Sequence, residues 1–253
     1  MNPEALKHTA YIDYPCHLAR LQWIFDTISE NRNKNEKVKV LDVGAGTGNI
    51  TNPLGLIENS EILGIDVHQP TLDIAIAANQ FKNVTYRFEY LHDSNIKDFD
   101  FIILTEVLEH IDGYENILQY IGENGKKGMQ LLITVPNGLG PFEISMQPLY
   151  LMRKMGMNGF IWRVKRLLGK KEPYSQNYDT PHVNFFTINQ MKKSCNKFGL
   201  KVSVVKKAYV FAPIVETYLP FIPLKTISKI DQKIANALPY FATSGFYFLI
   251  EHQ

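Results

Sequence analysis

A strand-like apolar run that ends in three alternating glycines is the feature that most constrains the fold of this chain. Residues 38–43 have the sequence Val-Lys-Val-Leu-Asp-Val, which is typical of a short buried strand, and Gly44, Gly46 and Gly48 follow it. Because glycine has no Cβ, such a loop can turn sharply and let the backbone approach a ligand. The residues after the last glycine predict a helix. This order of elements predicts an α/β fold with a ligand at the loop.

Two acidic residues lie where they could contact that ligand. Asp42 is at the end of the first predicted strand, and Asp66 ends the next apolar run. An acid at the end of the second strand is well placed to accept hydrogen bonds from both hydroxyls of a ribose. The two strands therefore predict a nucleoside-bearing cofactor. A dinucleotide is disfavoured, because its Gly-x-Gly-x-x-Gly fingerprint requires a third glycine where this chain has Asn49.

Four sequence blocks, in the same order, resemble class I S-adenosylmethionine-dependent methyltransferases. They are the acid-x-Gly-x-Gly-x-Gly loop with its second-strand acid, and residues 99–111, 126–137 and 182–187. The last block is similar to the small-molecule O-methyltransferase branch that includes quinone O-methyltransferases. The resemblance implies a Rossmann-like, doubly wound α/β sheet of seven strands, mostly parallel with an antiparallel last strand. It also implies helical insertions over the active site.

The resemblance further implies S-adenosyl-L-methionine as the cofactor, together with the residues that would bind it. These are Asp42, Gly44, Ala45, Gly46, Gly48, Asp66, Val67, Asp93 and Thr105. Asp93, on the loop after the third strand, is assigned to the adenine side. Glu89 is the competing choice for that role.

Alternating strand and helix patterns predict one methyltransferase domain over residues 1–253. Strands are predicted at Lys37–Val43, Glu61–Asp66, Val84–Phe88, Asp100–Thr105, Met129–Val135, Lys201–Lys206 and Phe246–Ile250. Residues 138–181 and 208–245 exceed what the sheet requires. Because loops at the carboxyl ends of parallel strands form the ligand crevice, we expect these insertions to be lids or substrate pockets. An extension of the core and an oligomer interface, as in a homodimer, are the alternatives.

Composition excludes several classes of protein. The 253 residues are 45% hydrophobic and 21% charged with a net charge of +2, which fits one domain and does not favour nucleic acid as a partner. Cys16 and Cys195 have no metal-ligand spacing, so we expect free thiols in a reducing cytosol. The amino terminus lacks a secretory pattern, and the longest apolar stretch is interrupted by prolines and an acid. A cytoplasmic location is therefore expected.

The first insertion is basic. Between Glu143 and Glu172 it contains no acid and the cations Arg153, Lys154, Arg163, Lys165, Arg166, Lys170 and Lys171, which alternate with apolar residues. Three roles fit this mixture: a clamp for a phosphate-bearing acceptor, peripheral contact with an anionic membrane surface, and a solvated helical face. We assign Arg163, Arg166 and Tyr178 to the binding of an anionic small-molecule acceptor.

Methyl transfer from a sulfonium donor requires mainly alignment and exclusion of water, because the donor is already activated. A hydroxyl acceptor also needs a base for its proton. His182, where the first insertion returns to the sheet, and His110, beside the cofactor, are the predicted catalytic residues. A hinge contact for His182 and a structural hydrogen bond for His110 are the alternatives. No metal is predicted, because the sequence shows no tight cluster with ligand spacing.

These inferences predict an O-methyltransferase that acts on a sugar hydroxyl of a phosphorylated or nucleotide-linked sugar in bacterial surface polysaccharide biosynthesis. One alternative is a lipid or quinone O-methyltransferase, for which the basic insertion would dock on a membrane. Another is a non-catalytic cofactor-binding scaffold. The Asp/Asn-Pro-Pro-aromatic signature, which resembles that of enzymes methylating amino groups of nucleic acids, is absent, since Thr105-Glu-Val-Leu follows the fourth strand.

Overall fold

Seven strands form one sheet in the computed structural model, which describes residues 4–11, 14–167, 182–218 and 224–253. The strands are β1 (Val38–Val43), β2 (Ser60–Asp66), β3 (Val84–Phe88), β4 (Phe101–Thr105), β5 (Gln130–Pro136), β6 (Leu200–Lys207) and β7 (Gly245–His252). Their order is β3-β2-β1-β4-β5-β7-β6. Neighbouring strands from β3 to β5 pair in parallel, whereas β7 is antiparallel to both β5 and β6. The predicted sheet, including its antiparallel last strand, is confirmed.

Helices cover both faces of this sheet. The α-helices among the described residues are α1 (Pro15–Asn31), α2 (Thr51–Leu54), α3 (Gln69–Ala78), α4 (Glu115–Asn124), α5 (Pro141–Lys154), α6 (Asn158–Leu167), α7 (Ile188–Lys197), α8 (Ala212–Tyr218) and α9 (Leu224–Ala237). A capping box begins α7: Thr187 Oγ1 accepts from the Gln190 N–H at 3.3 Å, and Gln190 Oε1 accepts from the Thr187 N–H at 3.0 Å.

The core lies in two layers, one on each face of the sheet. Val40, Ile103 and Leu132 belong to the layer that includes α1, and Leu41 and Leu104 to the layer that includes α4 and α7. Because both faces of the central strands are buried, their sequences are almost continuously apolar. The consecutive apolar residues of these central strands are the pattern from which the sequence predicted them.

Both insertions leave the sheet at the edge where the glycine loop lies. The first contains α5 and α6 and follows β5, and the second contains α8 and α9 and follows β6. Asp231 of α9 accepts hydrogen bonds from the backbone N–H groups of residues 210–212, which fixes the start of α8. None of the described helices combines the length and the apolar character needed to cross a bilayer.

Candidate active site

A cavity of about 860 Å³ opens at the carboxyl ends of β1, β2 and β4. This volume is in the upper part of the range for small-molecule sites, so it has room for a nucleoside cofactor and a second ligand. The glycine loop and the residues after β2 and β3 line one side. The residues after β4, together with parts of α1, α5 and the second insertion, line the other side.

The glycine loop is held against the end of β2. The Gly44 and Ala45 N–H groups donate to the Ile65 carbonyl at 2.9 and 3.0 Å. Gly44 has φ +74°, and a Cβ there would lie 2.7 Å from a methyl carbon of Val107. A side chain at Gly44 would therefore be strained and would clash with the residues after β4. Packing against Val107 therefore requires glycine at this position.

Asp66 connects the glycine loop to the end of β2. Its Oδ2 accepts from the Gly46 N–H at 2.8 Å, and its Oδ1 accepts from the His68 N–H at 2.9 Å. The residue is 6% exposed and lines the cavity together with Val67. The carboxylate is thus fixed where the sequence predicted an acceptor for ribose hydroxyls.

The structure brings together most, but not all, of the predicted cofactor residues. Those that line the cavity are Gly44, Ala45, Gly46, Asp66, Val67 and Thr105. Asp93 is exposed and does not line it, whereas the competing residue Glu89 does and accepts from the Ser94 hydroxyl at 2.6 Å. Glu89 is therefore the better placed of the two acids for the adenine side. Gly48, the last glycine of the loop, does not line the cavity, and an added Cβ there would be 2.5 Å from the Tyr86 hydroxyl.

Asp42 lies below the glycine loop rather than in the cavity. It is 1% exposed, and its Oδ2 accepts from the Thr51 hydroxyl at 2.6 Å, which links β1 to the start of α2. Burial raises the pKa of the Asp42 carboxyl to about 7, partly offset by the Thr51 hydrogen bond. The structure therefore gives Asp42 a role in supporting the loop from below.

Replacing Asp42 with asparagine should reduce the dependence of stability on pH. The folded pKa is about 7, whereas an unfolded Asp has a pKa of about 3.9, so the folded state holds this proton more tightly. The resulting stabilisation is complete below about pH 4 and is lost as the pH rises towards 7, at up to about 1.4 kcal/mol per pH unit. Urea denaturation at about pH 4.5 and about pH 7.5 should show a smaller difference for the variant than for the wild type. If the difference in stability between the two pH values were equal in the variant and the wild type, the raised pKa of Asp42 would be contradicted.

The amino-terminal segment forms a wall of the cavity that the sequence did not reveal. Asn49 Oδ1 accepts from the Ala10 N–H at 2.7 Å and from the Thr9 hydroxyl at 3.3 Å. Thr9 Oγ1 also lies 3.0 Å from His17 Nε2, and burial lowers the pKa of His17 to about 3, so its ring is neutral at neutral pH. Tyr11 of this segment lines the cavity. Asn49, the residue that disfavoured a dinucleotide, thus fastens this segment beside the glycine loop.

Asn49→Ala is expected to speed the release of S-adenosylhomocysteine. The variant removes two hydrogen bonds between the glycine loop and the amino-terminal segment, each contributing roughly 1 kcal/mol, so the dissociation rate should rise by up to about 30-fold. Stopped-flow displacement would measure that rate. Asn33→Ala, an exposed position after α1, is the matched control and should leave it unchanged. An unchanged rate in Asn49→Ala would exclude the segment from cofactor retention.

A group of acidic residues lies at the end of β4. Glu106 has a left-handed backbone conformation with φ +54°, which a residue with a side chain adopts only under tertiary constraint. Its Oε1 lies 3.0 Å from Arg20 Nη2 and accepts from the Thr134 hydroxyl at 2.8 Å. Glu109 is fully buried, and neither of its carboxylate oxygens has a hydrogen-bond partner among the described residues. Burial, and next the charge of Glu106, raises the pKa of Glu109 well above its usual range and favours its neutral form.

The two predicted catalytic histidines meet beside this acidic group. The His110 and His182 rings are 5.0 Å apart in an edge-to-face arrangement, and both residues line the cavity. The Val183 N–H donates to the Glu109 carbonyl at 2.8 Å, and Asn184 Nδ2 donates to two carbonyls of the 108–111 turn. These bonds hold the end of the first insertion against the end of β4.

The same residues could hold a cation. One ligand atom from each of Glu109, His110 and His182 lies within 4.8 Å of the others. The sequence predicted no metal because it shows no tight cluster with ligand spacing, and only the fold brings His182 beside Glu109 and His110. A carboxylate and two imidazoles form a donor set that suits divalent transition metals.

Two of the predicted acceptor-binding residues are not among those that line the cavity. Arg163 and Arg166 are exposed on α6 and do not line it. Tyr178 lies outside the described residues.

The site also contains three residues that were not predicted from the sequence to belong to it: Glu143, Arg20 and Asn49. One feature of the sequence could have indicated Glu143, because it is the only acid between Glu123 and Glu172.

Comparison with known proteins identifies the family. The sequence model of a protein family described as a methyltransferase domain matches residues 17–204. The chain belongs to the class I S-adenosylmethionine-dependent methyltransferases. The cofactor residues fit this assignment, because the glycine loop admits close backbone approach and Asp66 presents a fixed carboxylate at the cavity wall.

Curated relatives of the chain are ubiquinone biosynthesis O-methyltransferases. The mitochondrial protein of Rattus norvegicus is 33% identical over 108 residues, which is 40% of this chain and 31% of that protein. The protein of Rickettsia canadensis is 30% identical over 115 residues, 42% of this chain and 48% of that protein. The matched part of this chain thus spans about a third to a half of the length of these relatives.

Solved structures share the fold at low sequence identity. A putative sarcosine dimethylglycine methyltransferase from Galdieria sulphuraria has a TM-score of 0.60 at 13% identity, covering 93% of this chain and 86% of that one. The magnesium protoporphyrin IX methyltransferase of Synechocystis, with bound S-adenosylhomocysteine, has a TM-score of 0.55 at 12% identity, covering 93% and 84%. At these identities the likeness concerns the fold alone.

Proposed function

We propose that this protein transfers a methyl group from S-adenosylmethionine to a hydroxyl oxygen of an aromatic, quinone-like acceptor. The observation that carries the proposal is the apolar and aromatic wall beside the two histidines. It is formed by Tyr14, Phe142, Met146, Tyr150, Tyr209, Pro213 and Tyr247. Such a wall suits a flat aromatic ring better than a sugar, whose hydroxyls need many polar partners. The names of the curated relatives support the same acceptor class.

The site has the parts that methyl transfer to a hydroxyl requires. When bound, S-adenosylmethionine supplies a methyl group that is already activated as a sulfonium. The protein excludes water with the insertion helices and aligns the acceptor against the aromatic wall. His182 accepts the hydroxyl proton as the oxygen attacks.

A turnover screen tests this proposal. The purified protein with S-adenosylmethionine would be assayed against hydroxylated quinones, phosphosugars and nucleotide sugars, each with added Mg²⁺ and with EDTA. We expect methylation of hydroxylated quinones alone. Turnover of sugars alone would restore the acceptor predicted from sequence. Binding of S-adenosylhomocysteine without turnover of any acceptor would support the scaffold alternative. Loss of activity in EDTA would assign a cation to the Glu109, His110 and His182 group.

We further propose that α5 and α6 contact an anionic membrane surface, where an apolar acceptor would reside. Arg163 and Arg166 are exposed away from the cavity, which argues against a substrate clamp. Large apolar side chains are also exposed on α5 and α6 and between them: Ile144, Leu151, Met155, Phe160 and Leu167 have relative exposures of 55–82%. Exposed apolar residues interleaved with cations are typical of segments that lie in the membrane interface.

Charge reversal of Arg163 and Arg166 together should weaken binding to anionic vesicles by about 30-fold or more. Each basic residue near such a surface contributes about 1 kcal/mol, so the loss of two removes about 2 kcal/mol. Flotation with vesicles containing phosphatidylserine would measure the effect. Reversal of the exposed Lys192 and Lys193 on α7 is the matched control. A rise in acceptor KM with unchanged vesicle binding would instead support the role of these arginines as a substrate clamp.

A further inference from the structure

A buried carboxylate from the first insertion contacts the predicted base. Glu143 of α5 is fully buried, and its Oε1 lies 2.8 Å from His182 Nδ1. This is the only hydrogen bond to that carboxylate among the described residues, because Oε2 has no partner there. A buried carboxylate is costly unless it is paired with a donor or a positive charge. The contact with His182 is therefore what offsets the burial of Glu143.

This contact determines which ring nitrogen of His182 faces the ligand. A carboxylate can only accept, so Nδ1 carries the proton and donates it to Glu143. In the neutral ring the lone pair is then on Nε2. His182 lines the cavity, so Nε2 is the nitrogen left for an acceptor hydroxyl. In the opposite tautomer Nε2 would carry a proton and could not receive another.

The helix that provides Glu143 also shapes the acceptor side of the cavity. Phe142, Met146 and Tyr150 of α5 line the cavity, so α5 supplies part of the aromatic wall as well as the carboxylate. The hydrogen bond between Glu143 and His182 joins the two ends of the first insertion, which are 39 residues apart. The same helix therefore contacts both the acceptor side of the cavity and the predicted base.

We propose that Glu143 is a positioning residue that holds His182 as the Nδ1–H tautomer with Nε2 directed at the acceptor. The consequence for turnover rests on the proposed function, in which His182 is the base. The orientation itself does not depend on turnover. Loss of a carboxylate that orients a functional imidazole commonly lowers activity by 10- to 100-fold.

Glu143→Gln tests the proposal, because the amide keeps the shape of the side chain but can donate to Nδ1 and permit the other tautomer. We expect kcat to fall by about 10- to 100-fold while the acceptor KM and the affinity for S-adenosylhomocysteine stay unchanged. The exposed Gln147 lies on the same helix, and Gln147→Ala is the matched control that should leave kcat unchanged. A rise in the acceptor KM and a fall in kcat, together with lost cofactor affinity, would indicate a merely structural role.

Nitrogen-15 NMR of the histidine rings separates this proposal from the proposed function. In the wild-type complex with S-adenosylhomocysteine, His182 should show a protonated Nδ1 and an unprotonated Nε2. The Glu143→Gln spectrum should show loss of that single tautomer. A wild-type spectrum with protonated Nε2 would overturn the proposal, and this test needs no variant that must fold. The expected tautomer in a protein that methylates no hydroxyl would leave the positioning intact and reject the function.

Discussion

Replacing His182 with alanine is expected to lower kcat by about 10²- to 10⁴-fold, the usual contribution of a general base. The structure places this ring in the cavity, 5.0 Å from the ring of His110 and hydrogen-bonded to Glu143. Without it, the acceptor hydroxyl would have to lose its proton to water in a site built to exclude water. Steady-state kinetics with a methylated-product assay would measure the fall.

The affinity for S-adenosylhomocysteine distinguishes a chemical defect from a binding defect. It should be unchanged in His182→Ala, because the residues on the cofactor side come from the ends of β1 and β2. His110→Ala is the control, because His110 follows β4 beside the cofactor and its loss is expected to affect binding. A folded His182→Ala protein with the parental rate would remove His182 from the mechanism. The base would then be sought first at His110.

Asp66→Ala should weaken S-adenosylhomocysteine binding by roughly 1–3 kcal/mol, or about 5- to 150-fold. Two effects add in this variant. The ribose hydroxyls lose a charged acceptor, and the Gly46 N–H loses the partner that fixes the glycine loop. Calorimetric titration would measure the affinity, and S-adenosylmethionine should show a parallel loss.

Two further variants separate these effects. Asp66→Asn keeps an acceptor for one N–H group but removes the charge, so an intermediate loss is expected. Asp93→Ala changes an exposed acid outside the cavity and should leave the affinity unchanged. A large loss of affinity in Asp93→Ala would assign Asp93, rather than Glu89, to the adenine side. Tight NAD binding without any response to S-adenosylhomocysteine would contradict the cofactor assignment.

The sheet and the cofactor side of the site were predictable because their requirements are local. A parallel strand buried on both faces must be apolar over consecutive residues, and a loop with φ +74° at Gly44 must have glycine there. Asp66 follows from the same logic, because the end of the second strand lies beside that loop in any sheet of this order. Asp42 shows what the sequence pattern does not predict. Its place in the sequence was recognised, but its burial beneath the loop depends on the packing of Thr51.

The acceptor side depends on contacts between segments that are distant in sequence. Neither spacing nor composition indicated that Glu143 would be buried against His182, or that Asn49 would hold Ala10. The raised pKa of the Glu109 carboxyl likewise results from burial and a neighbouring charge rather than from its residue type. The sequence by itself determined the sheet, the glycine loop and the cofactor, because backbone geometry constrains nearby residues. Only the tertiary structure decided the partners and charges of the catalytic group, because those depend on which side chains the packed insertions bring together.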